Sequence, residues 1–563
     1  MNSRTPISQP PRPTDIRRNP HVTQTNSVAG RRPDVLLILA DDMGFSDINS
    51  YGGEVNTPAL DRLAEGGVKM TQFYNTARCS PSRASLLTGL HPHQVGIGIL
   101  NFDDTPDGYQ GNLSEDCATV AEVLKDSGYA TYLSGKWHLA VDMDNPNSAW
   151  PTRRGFDRFF GTLEGAGSFY QPRTLVRDEK NIEDEAAAEG WFYTDAISDN
   201  AVQFLREHEA DQPDNPFFMF LSYTAPHWPL HAHGDDIAKY TNRFDDGWDK
   251  LREQRLERLI KAGIIDPAWQ LTERDERVPA WEDTPDKEWQ ASRMEVYAAQ
   301  IDRMDQGIGK VLDQLEASGR LDNTLVVFLS DNGGCAEEMP PESVKDFVTA
   351  FVPLRETSRT GRPVVPGNVP GLRPGPEETY QSYGRAWANL SNTPFREYKH
   401  WVHEGGISTP FIVHWPTGLA DAAGSLCEVP SQLVDVLPTI AEVAGAAEPT
   451  HRNGRPIPPF EGRSLLPVLR GEADTDRDLF WEHEGNCAVR RGKWKLVRKY
   501  RHPWELYDIE ADRTELHDLA TAHPELVEQL EAAYQHWADR CGVIPRERVL
   551  QIYAERGRGL PEE

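Results

Sequence analysis

Short apolar runs alternate with helical patterns from residue 32 onward. Aliphatic and β-branched runs end at Ala40, Ser134, Leu221 and Ser330, and stretches with apolar residues every three or four positions, such as 301–315, lie between them. This alternation is typical of βαβ units. We therefore predict an α/β fold with a mostly parallel sheet sandwiched by helices.

Polar residues follow each of four predicted strands. In open α/β sheets, ligands bind outside the carboxyl ends of the strands. The four ends therefore predict one crevice that contains Asp, Asn, Lys and His side chains. The strands and the residues after them are Pro33–Ala40 with Asp41-Asp42-Met43-Gly44, Tyr129–Ser134 with Gly135-Lys136-Trp137-His138, Phe217–Leu221 with Ser222 through His227, and Leu325–Ser330 with Asp331-Asn332-Gly333-Gly334.

The pattern divides the chain into three parts. Residues 1–31 are polar and rich in proline and are predicted to form a disordered arm, whereas 32–455 form the main α/β domain. Within that domain we predict a charged helical insertion at about 236–290 and a long irregular loop, rich in proline and glycine, at about 340–376. Residues 456–563 change to antiparallel strands followed by a helix, which predicts a smaller C-terminal α+β domain.

Composition narrows the possible functions. The 563 residues are 38% hydrophobic, and 59 Lys and Arg against 88 Asp and Glu give a net charge of -29, which opposes binding to nucleic acid and anionic lipid. The longest apolar run, Val35–Ala40, is far shorter than the ~18 residues of a membrane span, so we expect no membrane and no nucleic-acid partner. The six cysteines form no C-x-x-C pair and no signal-peptide segment begins the chain. We therefore predict reduced thiols and a cytoplasmic protein.

Cys79 lies at the predicted start of a helix. Ser80 is the expected N-cap, Pro81 suits the first helical position, and Gly89 can end the helix. A helix N-terminus favours an anion, which can be a thiolate or a bound ligand near Arg83. The alternative interpretation is a buried structural cysteine beside a well-capped helix.

Hard oxygen donors predict a cation site. Asp41, Asp42, Asp331 and Asn332 offer only carboxylate and amide oxygens, which suit Ca²⁺ or Mg²⁺ rather than Zn²⁺. Taken singly, Asp41-Asp42 is typical of a solvated turn, and Asp331-Asn332-Gly333-Gly334 of a type I′ hairpin. Two such ends after two buried strands favour a metal site, because the carboxylates would repel one another without a cation.

An acidic protein that handles a small anion must gather its cations locally. Several basic residues follow the predicted strands or lie in later motifs, and we predict that they surround the anion. The stronger candidates are Arg83, Lys136, His138, His227 and Lys399, and the weaker ones are His231, His233 and His403.

Taken together, the motifs resemble the type I, formylglycine-dependent sulfatase family, and bacterial arylsulfatases most of all. The resemblance covers nearly the whole chain after residue 32. Its motifs are Cys79-x-Pro81-Ser82-Arg83 with Thr88-Gly89, Gly128-Tyr129-x-Thr131 with Ser134-Gly135-Lys136-Trp137-His138, Ala225-Pro226-His227-Trp228-Pro229, Ser330-Asp331-Asn332-Gly333, Ser391-Asn392-Thr393-Pro394-Phe395-Arg396 with Lys399, and Arg490-x-Gly492-x-Trp494-Lys495-Leu496. Ser408 departs from the pattern, since many sulfatases have arginine there, and we expect it to alter the wall of the substrate pocket.

The resemblance implies an alkaline-phosphatase-like fold and a specific chemistry. A formylglycine-generating maturation enzyme would oxidise Cys79 to 3-oxoalanine (formylglycine), which hydrates to a diol. One Ca²⁺ per chain, in preference to Mg²⁺, would be bound by the side chain derived from Cys79 and by the four oxygen donors named above. Arg83 would orient the diol, and Lys136 and Lys399 would hold the sulfuryl oxygens. His227 would protonate the leaving group, and His138 would take a proton from the diol.

We therefore predict a sulfuric ester hydrolase that releases inorganic sulfate from small sulfate monoesters, with aryl sulfates as the expected substrates. Three alternatives stay open. They are a phosphonate monoester or phosphodiester hydrolase of the same superfamily, a thiol hydrolase that uses unmodified Cys79, and a non-catalytic calcium-dependent binding protein in which Cys79 is not oxidised.

Overall fold

The computed structural model describes residues 31–341, 354–472 and 477–556. The predicted disordered arm, apart from Arg31, lies outside the described residues, and so do residues 342–353 of the predicted 340–376 loop. The strands are β1 (Asp34–Ala40), β2 (Val68–Tyr74), β3 (Ala130–Gly135), β4 (Arg158–Thr162), β5 (Leu175–Arg177), β6 (Lys180–Asn181), β7 (Phe217–Ser222), β8 (Thr324–Ser330), β9 (Val365–Pro366), β10 (Thr379–Tyr380), β11 (Ser408–His414), β12 (Ser425–Cys427), β13 (Ser431–Gln432), β14 (His451–Arg452), β15 (Arg455–Pro456), β16 (Asp478–His483), β17 (Asn486–Arg491), β18 (Trp494–Arg498) and β19 (Glu505–Asp508).

Helices connect and flank these strands. The α-helices are α1 (Pro58–Gly66), α2 (Cys79–Thr88), α3 (Val120–Asp126), α4 (Tyr193–Asp211), α5 (Gly234–Ala238), α6 (Gly247–Lys261) and α7 (Lys287–Ala317), followed by Gly384–Ser391, Glu404–Ile407, Pro416–Leu419, Val436–Ala444, Leu466–Leu469, Pro524–Cys541 and Arg546–Glu555. Among the described residues, no helix combines the length and the apolar character needed to span a bilayer.

The main sheet has a parallel centre. Its eleven strands lie in the order β12-β2-β11-β8-β1-β7-β3-β4-β5-β6, with β13 paired to β2. The five strands from β8 to β4 in this order are consecutive parallel neighbours. β11 runs antiparallel to both β8 and β2, and β5 runs antiparallel to β4. The carboxyl ends of the central strands therefore meet at one edge.

Helices cover both faces of this sheet. Leu36 and Ile38 of β1 point into a core that also contains residues of α4 and α7, whereas Val35 and Leu37 point into a second core with α3 and the helix Val436–Ala444. Both faces of β1 are buried because parallel strands with helical crossovers are covered on each side. This confirms the predicted mostly parallel sheet sandwiched by helices.

A smaller antiparallel sheet, β16-β17-β18-β19, follows near the C-terminus. One face, including Val489 and Leu496, packs on the helix Pro524–Cys541. The other face, including Ala488, packs against Tyr74 of β2 and Ile407. The expected antiparallel sheet followed by a helix is confirmed, and the structure adds a second helix, Arg546–Glu555. The boundary at residue 455 stays a prediction.

The predicted insertion is part of the main core. It contains α5 and α6, and α7 begins within it at Lys287. Trp248 of α6 is buried in the same core as α7. Arg255 of α6 is fully buried, and its guanidinium donates to Asp47 Oδ1 at 2.7 Å and to both carboxylate oxygens of Glu54.

Candidate active site

Four adjacent strand ends build the crevice. β8, β1, β7 and β3 are neighbours and run in the same direction, so their predicted polar ends lie at the same edge of the sheet. The structure brings together the candidates that follow them, which are Asp331 and Asn332, Asp41 and Asp42, His227, and Lys136 and His138, and it adds Arg83 from α2 and Lys399. All of these side chains are buried.

The acidic residues form a buried cluster at the centre. The backbone N–H of Asp42 donates to Asp331 Oδ1 at 3.2 Å, and Asn332 Nδ2 donates to Asp42 Oδ1 at 2.7 Å. Asp41 Oδ1 and Asn332 Oδ1 are buried without a hydrogen-bond partner. Buried polar atoms without partners are costly, and these are hard oxygen donors. The residues therefore fit a hard divalent cation.

The pKa values of Asp331 and Asp42 are shifted in opposite directions. Burial, reinforced by the neighbouring carboxylate of Asp41, raises the pKa of Asp331 to about 7 despite the charges of Arg83 and Lys136. Burial alone would also raise the pKa of Asp42, but His227 and Lys399 lower it well below its usual range. The part of the cluster around Asp331 therefore has a deficit of positive charge, which a bound cation would supply.

Three cations surround the acids. Lys136 Nζ donates to Asp41 Oδ2 at 2.6 Å, and Lys399 Nζ lies 2.8 Å from Asp42 Oδ1. Arg83 donates through NH2 to Asp331 Oδ2 at 2.9 Å. Each cation has an acidic partner, so each is held in place before any anion binds.

Cys79 begins α2, which corrects the predicted capping. The helix starts at Cys79, the N-cap is Arg78 in extended conformation, and Ser80 Oγ is buried without a partner. Ser80 is therefore not the N-cap, and Pro81 lies two residues inside the helix rather than at its first position. The predicted end at Gly89, with φ 66, is confirmed. Cys79 is 3% exposed and lies close enough to Arg83 and Lys399 for a negative charge at this position to interact with both.

The two histidines differ in their contacts. His227 has Nδ1 at 2.7 Å from the Trp228 carbonyl, and its Nε2 lies 3.4 Å from Lys399 Nζ and 3.3 Å from Asp42 Oδ2. Burial lowers the pKa of His227 to about 3. His138 is buried with Nδ1 unpartnered, and its φ of 62 is uncommon for a residue with a side chain. Its ring packs so closely on Gly165 that a Cβ there would lie 2.3 Å from the imidazole.

Sequence reasoning missed two residues of the crevice. Ser222, the last residue of β7, accepts from Arg83 NH1 at 2.6 Å and donates to the Lys136 carbonyl. Glu337 accepts from Arg78 NH1 at 3.0 Å and from Trp228 Nε1 at 2.9 Å, which joins the residue before Cys79 to the residue after His227. The strand end was a signal for Ser222, whereas no local pattern marked Glu337.

The weaker histidine candidates lie apart from these contacts. His231 is buried with Nε2 at 2.7 Å from the Thr379 carbonyl, and its Nδ1 accepts from Phe169 N–H, so it joins two chain segments. His233 Nε2 lies 3.6 Å from Asp195, and His403 Nε2 lies 3.5 Å from Glu505.

Ser408 also departs from its predicted position. It is fully buried in β11, where it donates to Glu404 Oε2 at 3.0 Å and accepts from Arg513 NH2 at 3.2 Å. It therefore does not form the wall of a pocket. Arg513, from a distant part of the chain, places a guanidinium beside it.

Comparisons with known proteins identify the family of the chain. Residues 33–446 match the family model described as Sulfatase, and 397–538 match the model described as N-sulphoglucosamine sulphohydrolase, C-terminal. The chain is 31% identical to an uncharacterised sulfatase of Schizosaccharomyces pombe, over 91% of this chain and 95% of the relative. It is 33% identical to an arylsulfatase of Klebsiella aerogenes, over 78% of this chain and 92% of the relative. Among solved structures it is similar to Ps i-CgsB, with a TM-score of 0.63, 25% identity, and coverage of 90% of this chain and 93% of that one.

Proposed function

Because the chain belongs to the sulfatase family and is a sulfuric ester hydrolase, we propose that it cleaves aryl sulfates to a phenol and inorganic sulfate with a nucleophile derived from Cys79. Family membership confirms both the resemblance drawn from the motifs and the predicted alkaline-phosphatase-like fold class. The observation that carries the proposal is the position of Cys79 at the buried start of α2, close to Arg83 and Lys399. The similarity to the arylsulfatase supports the substrate class.

Formylglycine is the proposed form of residue 79. A maturation enzyme would oxidise the thiol to an aldehyde, whose hydrate has two hydroxyl groups. The cation would be bound by this side chain together with Asp41, Asp42, Asp331 and Asn332, and Ca²⁺ suits the oxygen-only donor set. When bound, it would supply the positive charge that favours ionisation of the attacking hydroxyl.

The surrounding side chains then have separate tasks. Lys136 and Lys399 would hold the sulfuryl oxygens, since their ammonium groups are already fixed by Asp41 and Asp42. Asp331 would take the proton of one hydroxyl of residue 79, and the oxygen of that hydroxyl would attack sulfur. The bond from sulfur to the ester oxygen would break, and His227 with Lys399 would deliver a proton to that oxygen. His138 then takes the proton of the second hydroxyl. Sulfate departs with the attacking oxygen as the aldehyde re-forms.

Oxidation of residue 79 is the first test. Mass analysis of the peptide that contains Cys79 should show formylglycine in active enzyme. Cys79→Ala should fold and lose turnover by ~10³-fold or more, and Cys79→Ser should stop after one turnover at most, because it lacks the second hydroxyl. Cys541→Ala, at another buried cysteine, is the matched control and should keep activity.

Two results would contradict the proposal. Sustained turnover by Cys79→Ser would exclude the formylglycine mechanism. Faster cleavage of an aryl phosphodiester than of the matching aryl sulfate would favour the phosphodiesterase alternative.

The proposed roles of the histidines predict different dependence on the leaving group. Loss of the proton donor His227 should slow the cleavage of alkyl sulfates far more than the cleavage of esters of acidic phenols, because an acidic phenol departs unprotonated. His138→Ala should slow turnover whatever the leaving group, and sulfated enzyme should accumulate. Rates of both variants across substituted aryl sulfates, with mass analysis of quenched enzyme, check this. If the rates of both variants depend equally on the acidity of the leaving phenol and no sulfated enzyme is trapped, the proposed roles are wrong. His517→Ala, at an exposed histidine, is the control.

A further inference from the structure

A second group of metal-ligand side chains lies outside the crevice. His400 follows Lys399 in the loop before β11, and His483 and Glu484 lie at the turn between β16 and β17. One possible ligand atom from each of the three side chains lies within 4.8 Å of the others. The group therefore joins the Lys399 loop of the main domain to the small antiparallel sheet.

His483 is the most unusual member. It is 1% exposed, and neither of its ring nitrogens has a hydrogen-bond partner. A buried imidazole with two unsatisfied nitrogens carries a desolvation cost that its packing does not repay. A metal ion that accepts the lone pair of one nitrogen would remove that nitrogen's share of the cost.

The other two side chains complete a ligand set. His400 Nδ1 faces the carboxylate, 3.8 Å from Glu484 Oε2. Its Nε2 lies 3.3 Å from the donor Asn486 Nδ2, so binding a metal through Nδ1 requires the tautomer with its proton on Nε2, and the contact with Asn486 would be given up. The side chains of His400 and Glu484 are 27% and 10% exposed, so an ion can enter from solvent.

We propose that His400, His483 and Glu484 bind a divalent transition metal such as Zn²⁺. Two imidazoles and one carboxylate are a typical zinc set with one position left for water, and they differ in kind from the oxygen-only donors of the crevice. The ion would tie the loop that carries Lys399 to the β16–β17 turn.

Neighbouring arginines would compete with the metal for the carboxylate of Glu484. Arg546 NH2 lies 2.9 Å from Glu484 Oε2, and the guanidinium of Arg78 interacts electrostatically with Glu484 and both histidines. Glu337 pairs with Arg78, and Glu482, next to His483 in the chain, pairs with His93. The carboxylate of Glu484 would therefore be shared between Arg546 and the ion. Removing this carboxylate should weaken metal binding, as removing either imidazole should.

The test uses calcium-loaded full-length enzyme and Zn²⁺ or Co²⁺ as the probe. Wild type should bind one equivalent of Zn²⁺, raise its Tm on binding, and give the visible absorption of a four-coordinate Co²⁺ site with nitrogen ligands. Asp41→Asn, which damages the crevice site, should keep all three properties. His483→Gln should bind at least ~10-fold more weakly, and His517→Gln, at an exposed histidine, should behave as wild type.

Each result decides the matter. If wild type binds no zinc, or if Asp41→Asn loses the zinc while His483→Gln keeps it, the proposal is wrong. If His483→Gln does not fold, Glu484→Gln at the turn serves in its place. Unchanged zinc affinity in Glu484→Gln, together with a Co²⁺ spectrum typical of octahedral oxygen ligands, would equally overturn the assignment.

Discussion

Two of the buried charge clusters in the described part of the chain differ in how their acidic groups are partnered. The crevice cluster consists of Asp41, Asp42, Asp331, Arg83, Lys136 and Lys399. The junction cluster lies where the small sheet meets the main sheet and consists of Glu404, Glu515, Arg490, Lys495 and Arg513. All members of both are buried.

The clusters differ at their central acids, which are Glu404 in the junction cluster and Asp331 with Asp41 in the crevice cluster. In the junction cluster Glu404 accepts from Lys495 Nζ at 2.9 Å on one oxygen and from Arg513 Nε at 2.8 Å on the other. Although burial opposes it, the charges of Lys495 and Arg513 lower the pKa of Glu404 to about 2. In the crevice, oxygens of Asp41 and Asn332 lack partners and the pKa of Asp331 is raised.

This difference separates a structural ion cluster from a binding site. A buried ion pair contributes to stability only when hydrogen bonds satisfy its remaining polar atoms, as around Glu404. A site that must accept a cation and an anion keeps polar atoms free at a cost in stability. Neutralising one acid in each cluster should therefore have opposite effects on folding.

Asp331→Asn should give the largest effect on function. Loss of this carboxylate should lower sulfatase activity by ~10³-fold, or about 4 kcal/mol of transition-state stabilisation. In metal-free protein at pH 8, the same change should raise the free energy of unfolding by ~1–3 kcal/mol, because the folded state disfavours the charged carboxylate. Activity assays and urea denaturation measure the two quantities. If metal-free Asp331→Asn is instead less stable than metal-free wild type, the proposed difference between the two clusters is wrong.

Glu404→Gln should give the largest loss of stability. It leaves Lys495 and Arg513 with less anionic charge in a buried site, which should cost ~3 kcal/mol or more with or without metal. Asp478→Asn, in the more exposed pair with Arg491, is the matched control and should cost less than ~1 kcal/mol. Similar losses in the two variants would show that the junction cluster contributes no more than a surface ion pair.

The contributions of Asp331 and Glu404 to stability should change in opposite directions with pH. The raised pKa of Asp331 means that wild type loses stability relative to Asp331→Asn as pH rises from about 4 to about 7. The lowered pKa of Glu404 means that its contribution is complete above about pH 4.5 and is lost as pH falls toward 2. Each difference should change by up to ~1.4 kcal/mol per pH unit. Urea denaturation of metal-free proteins between pH 3 and 8 measures both differences, and parallel curves would contradict the assignment.

The sequence predicts the crevice far better than the junction. Strand periodicity fixes where β1 and β8 end, and parallel neighbours must place those ends together. The partners of Glu404 lie about a hundred residues away in a different sheet and a loop, so no spacing reveals them. Ser80 was predicted as the N-cap from residue preference alone. In the structure the extended residue before the helix is Arg78, and the helix therefore begins at Cys79.

Ser408→Ala should give the smallest effect and tests where the sequence was misleading. The hydroxyl donates to Glu404 and accepts from Arg513, so its loss should cost ~1 kcal/mol of unfolding free energy. Activity on aryl sulfates should stay within ~2-fold of wild type, because the side chain is fully buried in β11. Ser318→Ala, at a helix end, is the control and should change stability by less than ~0.5 kcal/mol. A changed preference among substrates with unchanged stability would instead place Ser408 at the pocket wall, and the junction cluster would then extend into substrate binding.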